Sequence, residues 1–468
     1  MNRGEVSIAT ELLEFQMVAS RELDKSRVEG RPDPITAKSH TDTWPHELLA
    51  FERADLALGK TENAKAMVDF VLDNIAADGR VPHMVVDGTS FRRIHADRRV
   101  LKAEKNEQDE WISPLSAMPV MNLAALDVAR KLPDAERQGW LDEILPKLLK
   151  IKEWQYRERD FDKDGLLTQL HPDETIFRHG EVNKHILDSL EIDKRFKFTR
   201  IAESAVGRLV RHPVRTFRQL KGGGKVAGIG GSTYDANQYM STDTAARTWD
   251  VLHNAFGDFR LKDLTANAFL VADNEALENL CEMAGRGGIG HLQVHFARTK
   301  QGFQKFWNTD EQKFASLTDS GESLAEYSGA ESALSLLGRS AMSDIQVKRV
   351  VGSLKKSTRV NFPIATGAEG GDKIHRGAMH PMINMLIYSA LESSNPREKD
   401  LKHRLGTAIV KAYNHSGMYD KKRGRRKFSE AYEPGNAKPV GVDLWAPTMA
   451  SAVVVSRDML TELNRRSV

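Results

Sequence analysis

Apolar residues recur at helical spacing along most of this chain, and that periodicity limits it to architectures built from packed helices. Leu141, Ile144, Leu145, Leu148 and Leu149 lie on one stripe, within which Pro146 is expected to bend the helix. Leu401, Leu405, Ala408, Ile409 and Ala412 form another. In front of the second stripe, Asn395, Pro396 and Glu398 supply an N-cap, an N1 proline and an N3 acid. Further amphipathic stretches near 5–24, 46–58, 62–76, 115–130, 243–256, 261–285, 324–338, 379–393 and 443–464 bring the total to roughly a dozen helices, and alternating strand patterns are few and short. Helix pairs joined by loops must bury their inner faces, which a closed ring or an open solenoid both do. No exact repeat period separates the two.

Two segments interrupt the helical pattern. Residues 157–180 hold Asp160, Asp162, Asp164 and Gly165, then His171-Pro172-Asp173-Glu174. Residues 208–232 carry Arg208, Arg211, Arg215, Arg218, Lys221 and Lys225 beside Gly222-Gly223-Gly224, and read as a basic helix end entering a flap. With 68 basic against 65 acidic residues the whole chain has no charge excess that implies a nucleic-acid partner. No apolar run approaches the ~18 residues of a membrane span, and Glu5, Glu11 and Glu14 stand where an export signal would be apolar. The single cysteine, Cys281, excludes an intramolecular disulfide and a cysteine metal cluster. The expected place is the cytoplasm.

Four motifs stand in order along the chain. They are Phe259-x-x-x-Asp263-Leu264-x-x-Asn267; Phe306-Trp307-Asn308 with Asp319; His375-Arg376-Gly377-Ala378-Met379-His380-Pro381-x-x-Asn384; and Glu430-Ala431-Tyr432-Glu433-Pro434-Gly435 ahead of Trp445. Together they resemble glycoside hydrolase family sixty-three, especially its mannosylglycerate and glucosylglycerate hydrolases. The third matches a family pattern W-R-G-P-V-W-P-x-x-N with both tryptophans replaced by histidine. Near the N-terminus, Trp44-Pro45-His46-Glu47-Leu48 resembles the family's W-D-x-x-F without its acid, and Val81-Pro82-His83-Met84 matches a P-H-M turn.

The resemblance implies an all-α fold, an α/α toroid of six helical hairpins, with residues 1–468 forming one domain and the two interruptions as loop insertions. It also implies inverting hydrolysis of a glycoside by two carboxyl groups, about 6.5–9.5 Å apart so that a water fits beside the sugar. Glu430 matches the family's general base. The general acid belongs to a loop of the form H-P-W-E-S-G-x-D, and Arg178 stands at its aspartate. Arginine is no useful proton donor at neutral pH, so Asp173 or Glu174 is expected to take that role, although Glu174 also matches a glutamate that looks like a sugar-hydroxyl ligand. Trp44, His46, His83, His171, Arg178, His375, Arg376, Asn384, Tyr432 and Trp445 are the candidate substrate-binding residues. Aromatic faces and charged hydrogen bonds are what hold sugars.

Asp160-x-Asp162-x-Asp164-Gly165 begins like a calcium loop, but His171 falls where the bidentate acid should be, so a plain turn is favoured and no cofactor or metal is expected. The run Lys421 to Lys427 just before Glu430, if joined by the basic flap, would draw an anionic small-molecule carbohydrate substrate. Two other readings remain open: a toroid that binds carbohydrate without cleaving it because Arg178 displaces the acid, and a sugar epimerase or polysaccharide lyase using His375, His380 or Tyr432. The sequence gives neither the sugar nor the oligomeric state.

Overall fold

The computed structural model describes residues 3–27, 32, 43–85, 104–108, 110–177, 181–189, 259–327, 330–357, 379–414, 419–420, 425–426, 428, 431–432, 439–440 and 445–466. Among them are thirteen α-helices: α1 (Arg3–Asp24), α2 (Leu48–Ala57), α3 (Thr61–Asp73), α4 (Met121–Ala129), α5 (Asp134–Glu158), α6 (Glu181–Ser189), α7 (Leu264–Met283), α8 (Leu292–Phe303), α9 (Ala330–Leu334), α10 (Asp344–Ser357), α11 (Pro381–Ala390), α12 (Pro396–Asn414) and α13 (Ala446–Arg466).

Which helices touch defines the architecture. α13 packs on α2, α2 on α4, α4 on α7, α7 on α9 and the 3-10 turns Ser335–Ala341 that continue it, α9 on α11, and α11 back on α13. Six inner helices close a circle. Outside it lie α1 against α13, α3 against α2 and α4, α5 against α4 and α7, α8 against α7, α10 against α9, and α12 against α11 and α13. The chain is an α/α toroid, not a solenoid.

Sequence explains the two layers. The inner α7 is buried at every position from Leu264 to Val271, as a helix enclosed by neighbours requires. The outer α5 buries one face, including Leu141, Ile144, Leu145 and Leu148, and continues through Pro146. At the start of α12, Asn395 accepts from the Arg397 amide and donates to Glu398 (3.1 Å each), the cap its sequence predicts. α4 has no side-chain cap of its own. Asp273 of the neighbouring α7 supplies one, accepting from the Asn122 and Leu123 amides at 2.8 and 3.1 Å, while Lys152 of α5 lies 2.6 Å from the same carboxylate.

Two expected helices are cut short. In 115–130 the helix begins only at Met121, because Pro114 and Pro119 bias the residues before them toward extended backbone. Residues 113–117 instead pair with 81–84 through Ser113 N to Met84 O and Ala117 N to Val81 O, 2.9 Å each. The 324–338 stretch divides into short turns around α9. Gly338 there leaves helical geometry, and a Cβ on it would come within 3.0 Å of Phe303. The stretch expected at 243–256 and the flap at 208–232 lie outside the described residues. α8 and α10 have no counterpart among the expected stretches.

The described strands are five two-residue antiparallel pairs. Three of these pairs involve segments of the sequence motifs, one of them Trp307–Asn308 with Lys313–Phe314. β1 (Leu261–Lys262), ahead of α7, pairs with β2 (Leu317–Thr318) ahead of α9, and β3 (Ala431–Tyr432) with β4 (Pro439–Val440). Single bridges Thr43 to Val85, Pro82 to Ser116, Gln169 to Leu261 and Met379 to Tyr432 continue the stitching. Each of these joins includes a segment that leads into an inner helix. The N-terminal ends of the inner helices therefore share one end of the ring.

Candidate functional site

That end of the ring is electrostatically distinct. Helix N-termini carry unpaired amides and partial positive charge, so their convergence favours carboxylates and anions there. The inner helices open directly after Trp44-Pro45-His46-Glu47 (α2), Ser116 to Val120 (α4), Asp263 (α7), His380 (α11) and Trp445 (α13). Of the sequence candidates, Trp44, His46 and Trp445 stand on these entrances.

Trp44, His46 and His83 form one aromatic group. The Trp44 indole meets His83 edge-on at 4.8 Å between ring centroids, and His46 lies parallel to His83 at 5.8 Å. The Thr43 to Val85 and His83 to Leu115 backbone bonds hold the three segments together. His83 is buried and the other two are half-buried, so the group forms a wall with restricted rotamers.

The turn His171-Pro172-Asp173-Glu174 sits beside it. Proline at the first position of a 3-10 turn, Pro172–Glu174, presets its backbone, and His171 Nδ1 caps it by accepting from the Asp173 amide at 3.0 Å. This fixes the tautomer of a neutral His171, with its hydrogen on Nε2. The two acids of the turn diverge. The Glu174 carboxylate is fully buried: Oε1 accepts from Ser116 N (2.9 Å), Ser116 Oγ (3.1 Å) and Arg159 Nη2 (2.7 Å), and Oε2 from Leu170 N (2.8 Å). Four donors fix this buried carboxylate in place. The Asp173 side chain is 24% exposed, with Oδ2 3.8 Å from His171 Nδ1.

The remaining candidates divide by position. Asn384 is buried and returns its Nδ2 to the His380 carbonyl at 3.0 Å, within its own helix start. Tyr432 lies in the hydrophobic core and exchanges backbone hydrogen bonds with Met379 at 2.8 and 3.0 Å. Its strand β3 thus runs beside the entrance to α11. Trp445 is half-buried, with its amide 2.6 Å from the Phe428 carbonyl. Glu430, Arg178, His375 and Arg376 lie outside the described residues.

The acidic loop is met by lysines from other segments. Lys262 Nζ lies 2.6 Å from Asp162 and 2.7 Å from Asp164, and Lys305 Nζ lies 2.8 Å from Asp164. Asp160 accepts from the Asp164 and Gly165 amides, as in a tight turn. Burial raises the Asp164 carboxyl, but its bonds to Lys262 and Lys305 outweigh this and hold it below the ordinary value. Ammonium groups thus stand where a calcium ion would need the oxygens. Among the described residues no group of three or more His, Cys, Asp or Glu side chains is placed to hold a metal ion.

Sequence reasoning missed two features. Arg159 and Ser116, the partners of Glu174, are separated from it by 15 and 58 residues, and nothing in the local sequence joins them. The second is a buried acid pair at the entrances to α7 and α9. Burial, then the neighbouring Asp263 charge, raise Glu331 well above the ordinary carboxylate range, while Ser316 Oγ lies 3.3 Å from it. Burial likewise raises Asp263, against the hydrogen bonds it accepts from the Ala266 and Thr265 amides.

Comparison with known proteins places the chain in a family. Residues 40–446 match the mannosylglycerate hydrolase MGH1-like glycoside hydrolase domain. The fold is similar to that of the mannosylglycerate hydrolase of Thermus thermophilus. Its complex with Tris superposes with a TM-score of 0.75 at 15% identity, covering 94% of this chain and 99% of that one. Its complex with Tris and D-glycerate gives 0.71 at 16% identity over the same shares. The neutral trehalase Nth1 of Saccharomyces cerevisiae gives 0.54 at 14% identity, over 92% of this chain and 75% of that one. No curated protein sequence matches the chain.

Proposed function

Because this chain belongs to the mannosylglycerate hydrolase MGH1-like glycoside hydrolases and is a glycosidase, we propose that it cleaves a small, anionic α-glycoside such as a glycosylglycerate, with inversion at the anomeric carbon. The observation that carries the proposal is the meeting of the 171–174 turn, through Glu174 and Ser116, with the segment that bears His83 and packs on Trp44. An aromatic wall beside a partly exposed carboxyl suits a sugar ring whose leaving oxygen must be protonated.

In this reading Asp173 donates the proton and Glu430 activates the water. Glu174 is fully engaged and serves as framework. His171 orients Asp173. Trp44, His46 and His83 face the sugar, Arg376, His375, Trp445 and Arg178 complete the binding surface, and Tyr432, buried in the core, supports it from behind. The converging helix starts, with the basic segments at 208–225 and 421–427, favour a substrate carrying a carboxylate. The Thermus protein of similar fold is a mannosylglycerate hydrolase that has been captured with D-glycerate. No described helix is long and apolar enough to cross a membrane, and we place the reaction in the cytoplasm, where an unpaired Cys281 is stable.

The test is release of sugar from mannosylglycerate, glucosylglycerate and trehalose, with the first-formed anomer read by proton NMR. Inverted product from a glycosylglycerate, with loss of at least about 1,000-fold in kcat for Glu430→Ala and Asp173→Asn, is expected from removal of acid or base. Undiminished turnover in Glu430→Ala rejects the assignment. Retained configuration rejects the two-carboxyl inverting geometry.

A further inference from the structure

We propose that Arg159 is a positioning residue for proton donation, acting on Asp173 through Glu174; this rests on the assignment of Asp173 above. Arg159 ends the outer helix α5 and is only 3% exposed, yet it belongs to no catalytic motif. Its guanidinium lies over the Trp154 ring at 5.3 Å, and the Trp154 indole N–H is itself anchored to Asp78 at 2.9 Å. From that fixed platform Nη2 reaches Glu174 Oε1 at 2.7 Å and Ser116 Oγ at 3.4 Å.

What the contact achieves follows from which segments meet in it. Glu174 joins the end of α5, the Ser116 entrance to α4 and the Leu170 amide in one carboxylate. Asp173 is its neighbour in the chain, and the amide of Asp173 is tied to His171 Nδ1. Both sides of Asp173 are thus fixed, one by His171 and one by a carboxylate whose strongest partner is Arg159.

Stability alone does not account for this pair. Arg159 Nε and Nη1 are buried and have no hydrogen-bond partner among the described residues. A buried ion pair with idle donors is commonly no more stable than well-packed apolar side chains of similar volume, and its better-attested use is to specify one geometry. A stacked planar fork fixes the position of Glu174 in a way that a flexible ammonium does not.

The discriminating experiment uses leaving groups of different need. An alcohol leaving group requires the proton, whereas fluoride does not. The full-length wild type, Arg159→Lys, Asp173→Asn and the charge-balanced double variant Arg159→Met/Glu174→Gln are compared on the glycoside that the wild type hydrolyses and on the corresponding glycosyl fluoride. The double variant avoids a lone buried charge, and Arg159→Lys keeps the test open if it does not fold.

For the double variant we expect kcat on the glycoside to fall by roughly 100-fold, with KM within about twofold and the fluoride rate within about threefold, as for a misplaced general acid. Arg159→Lys should fall between it and the wild type. Parallel loss on both substrates, or loss on neither, in a folded Arg159 variant overturns the proposal. If Asp173→Asn keeps the glycoside rate, the donor assignment itself fails and this inference with it. If Asp173→Asn loses that rate while the Arg159 variants keep it, this inference alone fails.

Discussion

Adjacent residues of the same chemistry can have opposite uses, and Asp173 and Glu174 are such a pair. One side chain remains partly open, and the other is saturated by four donors. Glu174→Ala would leave Arg159 as a buried unpaired charge, so a loss of about 3–5 kcal/mol in denaturant unfolding is expected, and Glu174→Gln should lose less. Glu331 offers a second test at this scale. Its folded carboxyl is raised above the ordinary Glu value of 4.5 by burial and by Asp263. The folded state therefore holds the proton more tightly than the unfolded one. The resulting stability is fully present below about pH 4.5 and is lost as pH rises towards the folded value. Glu331→Gln should flatten this slope in unfolding free energies measured between pH 5 and about 8, and an unchanged slope would place the titrating group elsewhere. The sequence names His171, Asp173 and Glu174 as a cluster but cannot rank the two acids. Their difference is made by Arg159 and Ser116, which only the tertiary fold brings near.

Individual elements are legible wherever local chemistry is decisive. The Asn395 cap, the apolar stripe of α5 and the long α13 follow from spacing and end signals. α8 and α10 stand outside the expected stretches although each carries an apolar face, Leu292, Phe296 and Phe303 in one and Val350 and Leu354 in the other. The 160–165 turn illustrates how an element is held without metal. Gly165 has φ of +81°, and a Cβ there would fall 2.4 Å from the Thr299 amide of α8. Gly165→Ala should therefore lower the melting temperature by several degrees, since both strain and overlap act. Calcium or EDTA should leave that temperature unchanged, because Lys262 and Lys305 already neutralise the acids. A calcium-dependent rise of several degrees would contradict this assignment. At the α4 start, Asp273→Ala removes a cap from one helix and the partner of Lys152 on another. Chemical denaturation should show a loss of about 3–5 kcal/mol.

For the whole molecule, ring closure is legible in the motifs that resemble glycoside hydrolase family sixty-three and not in the helical periodicity. Periodicity supplies helices that need partners, and both a ring and a solenoid satisfy that need. The choice is made by the packing of α13 on α2 and of α1 on α13, contacts between opposite ends of the described chain. Leu12, Phe15, Ala19 and Leu23 of α1 are buried in the core. Deleting residues 1–24 should expose the apolar face they cover and convert the protein to aggregates on size-exclusion chromatography. A monodisperse, folded product would show that the ring closes without its outer N-terminal helix.

The packing of α1 and α13 also sets a schedule. Contacts across so large a sequence separation form slowly, since the loop entropy must be lost before they contribute. During synthesis α1 emerges hundreds of residues before its partner, so its apolar face must remain solvated or be held by another protein until α13 leaves the ribosome. The wall that carries Tyr432 and Trp445 is then the last to be assembled. A nascent chain would complete its ring only then, so the onset of activity would time the final folding step.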